Sequence, residues 1–186
     1  MNRLRGFVLG GCVLALTGCS NFNSHSEIEA LNEAQAVGSP FTQNLAGEYR
    51  DFDNREMNSM FDYPDAIHFA RKGLAAAAGE MVMPEPISDW NLNPEHMEEL
   101  STARGRLIVA FDLGAREIAA QQAAVAQARF DCWIEQQEEN WQARDIADCK
   151  NQFGAAMDAL EGLIRPAPEM MPPVEAVAPP PAEPMK

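Results

Sequence analysis

The sequence predicts an all-α fold, an elongated helical bundle or long helical hairpin with one disulfide. Apolar residues recur at three-, four- and seven-residue intervals through residues 27–164, which is the spacing of a buried helix face. No proline interrupts residues 95–165, so a long helix is sterically allowed there. Cys132 and Cys149 lie symmetrically about a predicted turn at 138–141, as expected for two cysteines that face each other across an antiparallel hairpin.

The N-terminal segment has the pattern of an export signal. Arg3 and Arg5 precede an apolar run over residues 6–16. That run is long enough for the core of a signal peptide but too short to span a membrane, which takes about 20 residues. Residues 16–19 (Leu-Thr-Gly-Cys) resemble the lipobox of bacterial lipoproteins. An uncleaved short anchor and a buried N-terminal helix are the alternatives.

The lipobox resemblance implies that residues 1–18 are a signal peptide and that Cys19 is the lipidated first residue of the mature chain. In such lipoproteins the cysteine carries diacylglycerol, and acyl chains such as palmitate hold the protein on the membrane, because two or more chains make a stable anchor. In enterobacterial lipoproteins, an aspartate after the cysteine retains the protein at the inner membrane. Ser20 stands at that position, which predicts the periplasmic face of the outer membrane.

The charge of the chain excludes one class of partner. The full sequence has 14 basic and 28 acidic residues, and loss of Arg3 and Arg5 with the signal leaves 12 basic residues and a net charge of −16. Such a surface repels nucleic acid and anionic headgroups, so we expect no nucleic-acid partner. A basic protein is compatible with this charge, and solubility alone is the simpler explanation of it.

The four cysteines divide by position. Cys12 belongs to the signal segment and Cys19 to the lipobox, which leaves Cys132 and Cys149. An even pair in an exported chain predicts a disulfide. A zinc site is the alternative, but two cysteines without a neighbouring histidine provide fewer than the four ligands of structural zinc. Closing this loop stabilises the fold by about 3 kcal/mol in the chain-entropy description.

Three short helices are predicted in the first half of the helical domain (residues 27–164), after a polar tether at 19–26. Proline and glycine end them, because the residue before proline avoids helical dihedrals and glycine readily adopts the left-handed conformation that closes a helix. The expected breaks are 38–40 (Gly-Ser-Pro), 62–64 (Asp-Tyr-Pro) and Gly79. The buried face of the second helix is predicted from spacings of four, four and three residues: Phe41, Leu45, Tyr49 and Phe52.

The second half of the domain is predicted to form one long helix and a return helix. Asn93 and Pro94 make a helix start, an N-cap followed by proline at the first position. The long helix is expected to continue to about residue 138, although two glycines weaken it by about 1 kcal/mol each. These are Gly105 and Gly114. The return helix is expected over about 144–163.

Two segments are predicted to be irregular. The first is the connection over residues 81–94, which is proline-rich but carries apolar residues expected to pack on the bundle: Ile87, Trp90 and Leu92. The second is the C-terminal tail at 165–186, in which proline recurs throughout. This composition is typical of an extended, disordered tail or linker.

Three segments of the helical region are similar to the N-terminal region of alphaproteobacterial OmpA-family lipoproteins. They are residues 31–36 (Leu-Asn-Glu-Ala-Gln-Ala), 69–78 (Phe-Ala-Arg-Lys-Gly-Leu-Ala-Ala-Ala-Ala) and 130–139 (Phe-Asp-Cys-Trp-Ile-Glu-Gln-Gln-Glu-Glu) with Cys149. The resemblance implies a helical region that leads through a Pro/Ala-rich linker into a peptidoglycan-binding domain. That domain has no counterpart in the sequence, so we assign direct peptidoglycan binding to no residue. The chain is then expected to be either a truncated gene product or a stand-alone relative.

No catalytic constellation emerges from the sequence. His25, His68 and His96 lack the spacing of metal ligands, and the serines lack a nucleophile motif. One acidic cluster is expected to be a solvated face, because it lacks the pattern of a calcium loop: Asp51, Asp53, Glu56, Asp62 and Asp65. Aromatic residues near the hairpin tip are expected in the core, and would mark a partner surface if exposed: Phe130, Trp133, Trp141 and Phe153.

The sequence therefore predicts a non-enzymatic cell-envelope lipoprotein, without cofactor or metal, that acts as a structural spacer or protein-docking module in the periplasm. Its expected partners are the membrane, through Cys19, and an envelope protein. Two other functions stay open. One is the N-terminal part of a peptidoglycan-tethering OmpA-family lipoprotein, and the other is a periplasmic module that binds a metal or small ligand between its helices.

Overall fold

Helices make up most of residues 20–164, the part of the chain that the structure, a computed structural model, describes, with side chains from residue 27. This range contains no β-strand, which confirms the all-α class, and none of its helices is both long and apolar enough to cross a bilayer. The predicted lipidation site Cys19 and the predicted tail at 165–186 lie outside the described residues. The elements are α1 (Ser20–Glu33), α2 (Pro40–Arg55), a π-helix (Glu56–Met60), α3 (Tyr63–Ala77), a 3₁₀ turn (Ile87–Asp89), α4 (Pro94–Asp112), α5 (Ala115–Ile118), α6 (Ala120–Glu139) and α7 (Ala143–Ile164).

The predicted breaks in the first half are confirmed. Ser39 caps α2, since its Oγ accepts a hydrogen bond from the Thr42 backbone N–H at 3.2 Å. Asp62 caps α3 in the same way, accepting from the Asp65 N–H at 3.2 Å. Gly79, in a left-handed conformation (φ 88°), closes α3. Helix α1, however, begins at Ser20, so most of the segment expected to be a tether is helical.

The prediction of one helix from Pro94 to about Glu138 is wrong. Gly114 adopts a left-handed conformation (φ 85°) just beyond α4, and Ala119 (φ −139°, ψ 55°) separates the single turn of α5 from α6. Gly105 stays inside α4. Helix α4 packs on α6 and α7 instead of continuing into α6, because folding back buries its apolar face. The helices therefore form a compact bundle, whereas the sequence predicts an elongated one.

The hairpin of α6 and α7 and its disulfide are confirmed. Cys132 and Cys149 are bonded, with their Cα atoms 5.7 Å apart, a usual distance for a disulfide. Asn140 reverses the chain between the helices in a left-handed conformation (φ 54°), which asparagine tolerates better than most residues. Helix α7 buries one face against the bundle: Cys149, Phe153, Met157 and Leu160.

Helix α2 lies at the centre of the core, and its predicted face is fully buried: Phe41, Leu45, Tyr49 and Phe52. Helix α3 packs against it, with the rings of Phe52 and Phe69 centred 4.2 Å apart. Gly73 allows this close approach, since a Cβ there would collide with Leu31 of α1 and lie 3.1 Å from the Cβ of Tyr49. The irregular connection between α3 and α4 packs on the same core through Ile87, Trp90 and Leu92, as predicted.

Candidate functional site

A buried polar network fastens the irregular connection between α3 and α4 to the bundle. Asp131, fully buried on α6, accepts hydrogen bonds from the Tyr49 hydroxyl at 2.6 Å and the Lys72 ammonium at 2.7 Å. Its other oxygen accepts from the Glu85 backbone N–H at 2.8 Å. Burial raises the pKa of Asp131, and the Lys72 ammonium counteracts that rise. One carboxylate therefore joins α2, α3 and α6 to the irregular connection.

Glu85 is the second centre of this network. Its carboxylate accepts hydrogen bonds from Lys72 Nζ at 2.5 Å and from His68 Nε2 at 2.8 Å. His68 Nε2 is the donor of the second bond, because an ionised carboxylate can only accept. Its other oxygen accepts from the Trp90 indole N–H at 3.0 Å. Burial by itself would raise the pKa of Glu85, but the hydrogen bond from His68 and the nearby Lys72 ammonium outweigh burial and lower that pKa to about 2. Glu85 is therefore a fixed negative charge at neutral pH.

Two further side chains hold the backbone of the irregular connection from other helices. Arg104 of α4 donates from Nε to the Glu85 carbonyl at 2.8 Å and from Nη2 to the Pro84 carbonyl at 3.2 Å. Gln127 of α6 donates to the Val82 carbonyl at 3.2 Å. A segment without regular secondary structure is thus held in one position by side chains.

An acidic cleft of about 400 Å³ opens above this network. Its lining residues come from α3, the irregular connection and the end of α6: Pro64, Asp65, His68, Arg71, Glu85, Asp89, Trp90 and Glu138. The Trp90 ring is held by stacking on Phe69 (ring centroids 6.4 Å apart) and by an edge contact with His68 at 5.8 Å. Carboxylates outnumber cations in the cleft, and its Arg71 pairs outside the cleft with Glu27 of α1 at 3.0 Å.

Three large aromatic side chains are exposed at the same end of the bundle. Phe61 is 67% exposed, Tyr63 44% and Trp141 72%. Phe61 also has a positive φ of 61°, which is strained for a bulky side chain, and it directly follows the π-helix. We call this surface the acidic aromatic end and define it by Phe61, Asp62, Tyr63, Glu138, Glu139 and Trp141.

The parts of the acidic aromatic end come together because α3 starts where α6 ends. Asp65 in the first turn of α3 and Glu138 in the last turn of α6 line the same cleft. Glu139 accepts a hydrogen bond from the Trp141 indole N–H at 3.3 Å. Strained backbone and π-helices are frequent at functional positions. Their presence beside exposed aromatic rings makes the acidic aromatic end the candidate functional surface.

Buried carboxyl groups lie beneath this end. Glu135 of α6 and Glu56 of the π-helix are at most 1% exposed. Burial, reinforced by repulsion from Glu56, raises the pKa of Glu135 to about 9, although Gln136 donates to it at 2.9 Å. Burial likewise raises the pKa of Glu56 and of Asp53 to about 7, and that of Asp65 to about 6. These groups therefore keep protons at pH values where solvated carboxyl groups are ionised.

The prediction of a solvated acidic face is wrong for two of its five residues. Asp53 and Glu56 are buried, whereas Asp51 is exposed, Asp62 caps α3 and Asp65 lines the cleft. The signal was present in the sequence, since Asp53 and Glu56 follow Tyr49 at spacings of four and three residues and so continue the buried face of α2. In residues 20–164, no three His, Cys, Asp or Glu side chains are arranged to hold a metal ion.

The predicted histidines and hairpin aromatic residues lie in different parts of the fold. His68 joins the polar network, His96 lies beside Glu95 at the start of α4, and the side chain of His25 is outside the described residues. Of the four hairpin aromatics, three are in the core as predicted: Phe130, Trp133 and Phe153. Trp141 is exposed, and an exposed aromatic residue at this position was predicted to mark a partner surface.

A second cavity, of about 620 Å³, lies between α4, α6 and α7 and includes Trp133 and Phe153 in its lining. Arg106 and Lys150, the basic residues of its lining, both form ion pairs. Lys150 contacts Glu99 at 2.5 Å, and Arg106 contacts Asp158 at 2.7 Å. The rim is therefore closer to neutral than the acidic cleft.

Sequence comparison adds no relative to this description: no family model matches the chain, and neither a curated protein nor a solved structure is significantly similar to it.

Proposed function

We propose that this chain is a non-enzymatic, lipid-anchored docking module of the bacterial cell envelope, whose acidic aromatic end binds a positively charged segment of a partner protein. The observation that carries the proposal is the exposure of Phe61, Tyr63 and Trp141 beside carboxylates at one end of a pinned helical bundle. Exposed aromatic clusters rimmed by polar groups are typical of protein-binding surfaces.

A few side chains supply most of the binding free energy at many protein interfaces, and Trp and Tyr are frequent among them. Each buries about 150–250 Å² when covered, and burial of apolar area contributes about 25 cal/mol per Å². Left exposed, as Trp141 is at 72%, the same area gives no stability to the bundle itself. When a partner covers these side chains, burial of their apolar area contributes to the free energy of binding.

The charge of the chain favours a basic partner. The full sequence has a net charge of −14, and Glu138 and Glu139 are partly exposed at the acidic aromatic end. Complementary charge accelerates encounter and suppresses binding of acidic competitors. A partner segment rich in Lys or Arg can also place its cations on the exposed aromatic rings.

The surface is also rigid. Asn140 and the disulfide between Cys132 and Cys149 fix the hairpin from whose turn Trp141 projects. The buried network around Asp131 fixes the irregular connection beside it. A pre-organised surface loses less conformational entropy on binding, which favours docking over a purely passive spacer.

The envelope location in this proposal rests on the lipobox-like residues 16–19, in which Cys19 is the acylated residue. The proposed location is the periplasmic face of the outer membrane. A disulfide in the folded domain agrees with an oxidising compartment. The resemblance of three segments to OmpA-family lipoproteins agrees with the same compartment.

We expect an alkyne fatty acid supplied to expressing bacteria to label the wild-type chain and to leave the Cys19→Ala variant unlabelled, because only the Cys19 thiol carries diacylglycerol. Click chemistry and in-gel fluorescence measure the label. Cys12→Ala is the matched control and should keep its label, since Cys12 lies in the cleaved signal. Undiminished labelling of Cys19→Ala would refute the anchor.

The docking surface can be tested by placing a photo-crosslinking amino acid at Trp141 or at Phe61 in cells. We expect either position to give a discrete crosslinked species whose partner segment is basic. Val37 is the matched control, because it is 55% exposed but lies at the other end of α2 from the π-helix. Equal crosslinking from Val37, or no species from Trp141 and Phe61, would contradict the docking function.

A further inference from the structure

We propose that the acidic cleft beside Trp90 is a pocket for one arginine side chain of a protein partner. This inference rests on the proposed docking function and names the part of the surface that recognises charge. Neither the lipobox nor the exposed aromatic residues assign any role to the cleft.

The shape of the cleft fits one side chain. At about 400 Å³ it is at the lower end of the sizes of ligand pockets, too small for a folded element and large enough for one long side chain with its backbone. It opens between Pro64 at the start of α3 and Glu138 at the end of α6. These residues adjoin the acidic aromatic end, so a chain bound there can reach the cleft.

The charge of the cleft selects a cation. Asp65, Asp89 and Glu138 line it, and Glu85 forms its floor as a fixed negative charge. The cations near it are already paired. Lys72 contacts Glu85 and Asp131, and Arg71 contacts Glu27. Lys72 already balances the charge of Glu85, so an added guanidinium meets chiefly the carboxylates of Asp65, Asp89 and Glu138. A guanidinium is planar, and its donors form a fork that matches carboxylate oxygens.

Trp90 supplies the apolar wall that distinguishes an arginine pocket from a simple acidic surface. Its ring is fixed by the indole N–H bond to Glu85 and by stacking on Phe69. An aromatic ring beside carboxylates stabilises a guanidinium by cation–π attraction. Arginine also stacks its flat group on such rings better than lysine does.

The cleft is formed before any ligand binds. The backbone N–H of Asn91 donates to the Glu138 carboxylate at 2.6 Å and so holds that side chain at the rim. The Ser88 hydroxyl donates to the Asp89 carboxylate at 2.9 Å. With Trp90 and Glu85 held as described, the groups that would contact a guanidinium need little reorganisation.

The test is an NMR titration of the mature, oxidised protein with acetyl-Gly-Arg-Gly-amide, following the indole N–H signal of Trp90. We expect a saturable shift with this peptide and none with acetyl-Gly-citrulline-Gly-amide, which keeps the shape and lacks the charge. Asp89→Asn, at an exposed position, and Asp65→Asn should each weaken binding about 3- to 10-fold, which corresponds to roughly 0.7–1.4 kcal/mol. Glu80→Gln is the control, because Glu80 is exposed and outside the cleft.

If the Trp90 signal does shift, three outcomes of the titration would still overturn the inference. They are an equal response to the citrulline peptide, an equal loss in Glu80→Gln, and tighter binding of free arginine than of the peptide, which would make the cleft a small-molecule site. Crosslinking from Trp141 in cells without a Trp90 shift would overturn the arginine pocket and leave the docking function standing. A Trp90 shift without crosslinking would overturn the docking function and, with it, the protein partner of this inference, and would leave only a cleft that binds an arginine side chain.

Discussion

Replacing Asp131 with alanine is expected to lower the free energy of unfolding by about 3–5 kcal/mol at neutral pH. The substitution removes the carboxylate that accepts from Tyr49 and Lys72 and leaves the ammonium with Glu85 alone. The Lys72 side chain is only 13% exposed, so water cannot replace the lost partner fully. Removing one member of a buried ion pair costs more than the pair contributed, because the remaining charge stays desolvated. Urea unfolding of the oxidised protein, followed by circular dichroism, measures the change.

Asp148→Ala is the matched control for that measurement. Asp148 is exposed on α7, and its ion pair with Arg144 is long, at 3.7 Å. We expect it to change stability by no more than about 0.5 kcal/mol. Combining Asp131→Ala with Lys72→Met should cost less than the sum of the two single changes, because each single change already removes the ion pair between Lys72 and Asp131. A loss below about 1 kcal/mol for Asp131→Ala, or strict additivity, would contradict the buried network.

Helix ends in the first half of the chain could be predicted because their causes are local. Ser39 with Pro40, and Asp62 with Pro64, combine an N-cap with a proline in the first turn, and both helices start there. Gly79 closes α3 because its own backbone adopts the left-handed conformation that ends a helix. The disulfide hairpin was predictable on similar grounds, since the two cysteines flank a short polar turn.

The break at Gly114 could not be predicted, because local propensity treats it like Gly105. Both glycines fall in one stretch without proline, and each weakens a helix by about 1 kcal/mol. Gly105 lies on a helix surface where an added Cβ would meet nothing within 4 Å, and α4 continues through it. What ends α4 at Gly114 is the packing of α4 against α6 and α7, which depends on residues far along the chain.

The cleft and its network were missed because they depend on pairs that are distant in sequence. Lys72 and Asp131 are 59 residues apart, and Glu85 and Asp131 are 46 apart. The one available signal was the position of this aspartate between Phe130, which is expected in the core, and Cys132, which is expected in the disulfide. A charge buried there requires a partner. Identifying that partner as a lysine of α3 requires the fold.

Stability is expected to fall as pH rises, and Glu135→Gln is expected to remove a large part of that fall. The folded-state pKa of Glu135 is raised to about 9 from an ordinary value of 4.5, by burial first and then by Glu56. Between these pH values the folded chain holds a proton that the unfolded chain has lost. The free energy of unfolding therefore decreases with pH over this window. Asp53 and Glu56, raised to about 7, add to the decrease up to neutral pH.

The variant tests this directly because glutamine matches glutamate in size and cannot ionise. At pH 8 we expect Glu135→Gln to be more stable than wild type by about 2–4 kcal/mol. At pH 4 the two should differ little, since the Glu135 carboxyl is then protonated in the folded state and largely protonated in the unfolded chain. Urea unfolding at both pH values provides the comparison, with Glu33→Gln, exposed on α1, as a control that should keep the wild-type pH dependence. Destabilisation of Glu135→Gln at pH 8 would mean that the buried carboxyl is ionised and paired, which would reverse the assignment of the proton to Glu135.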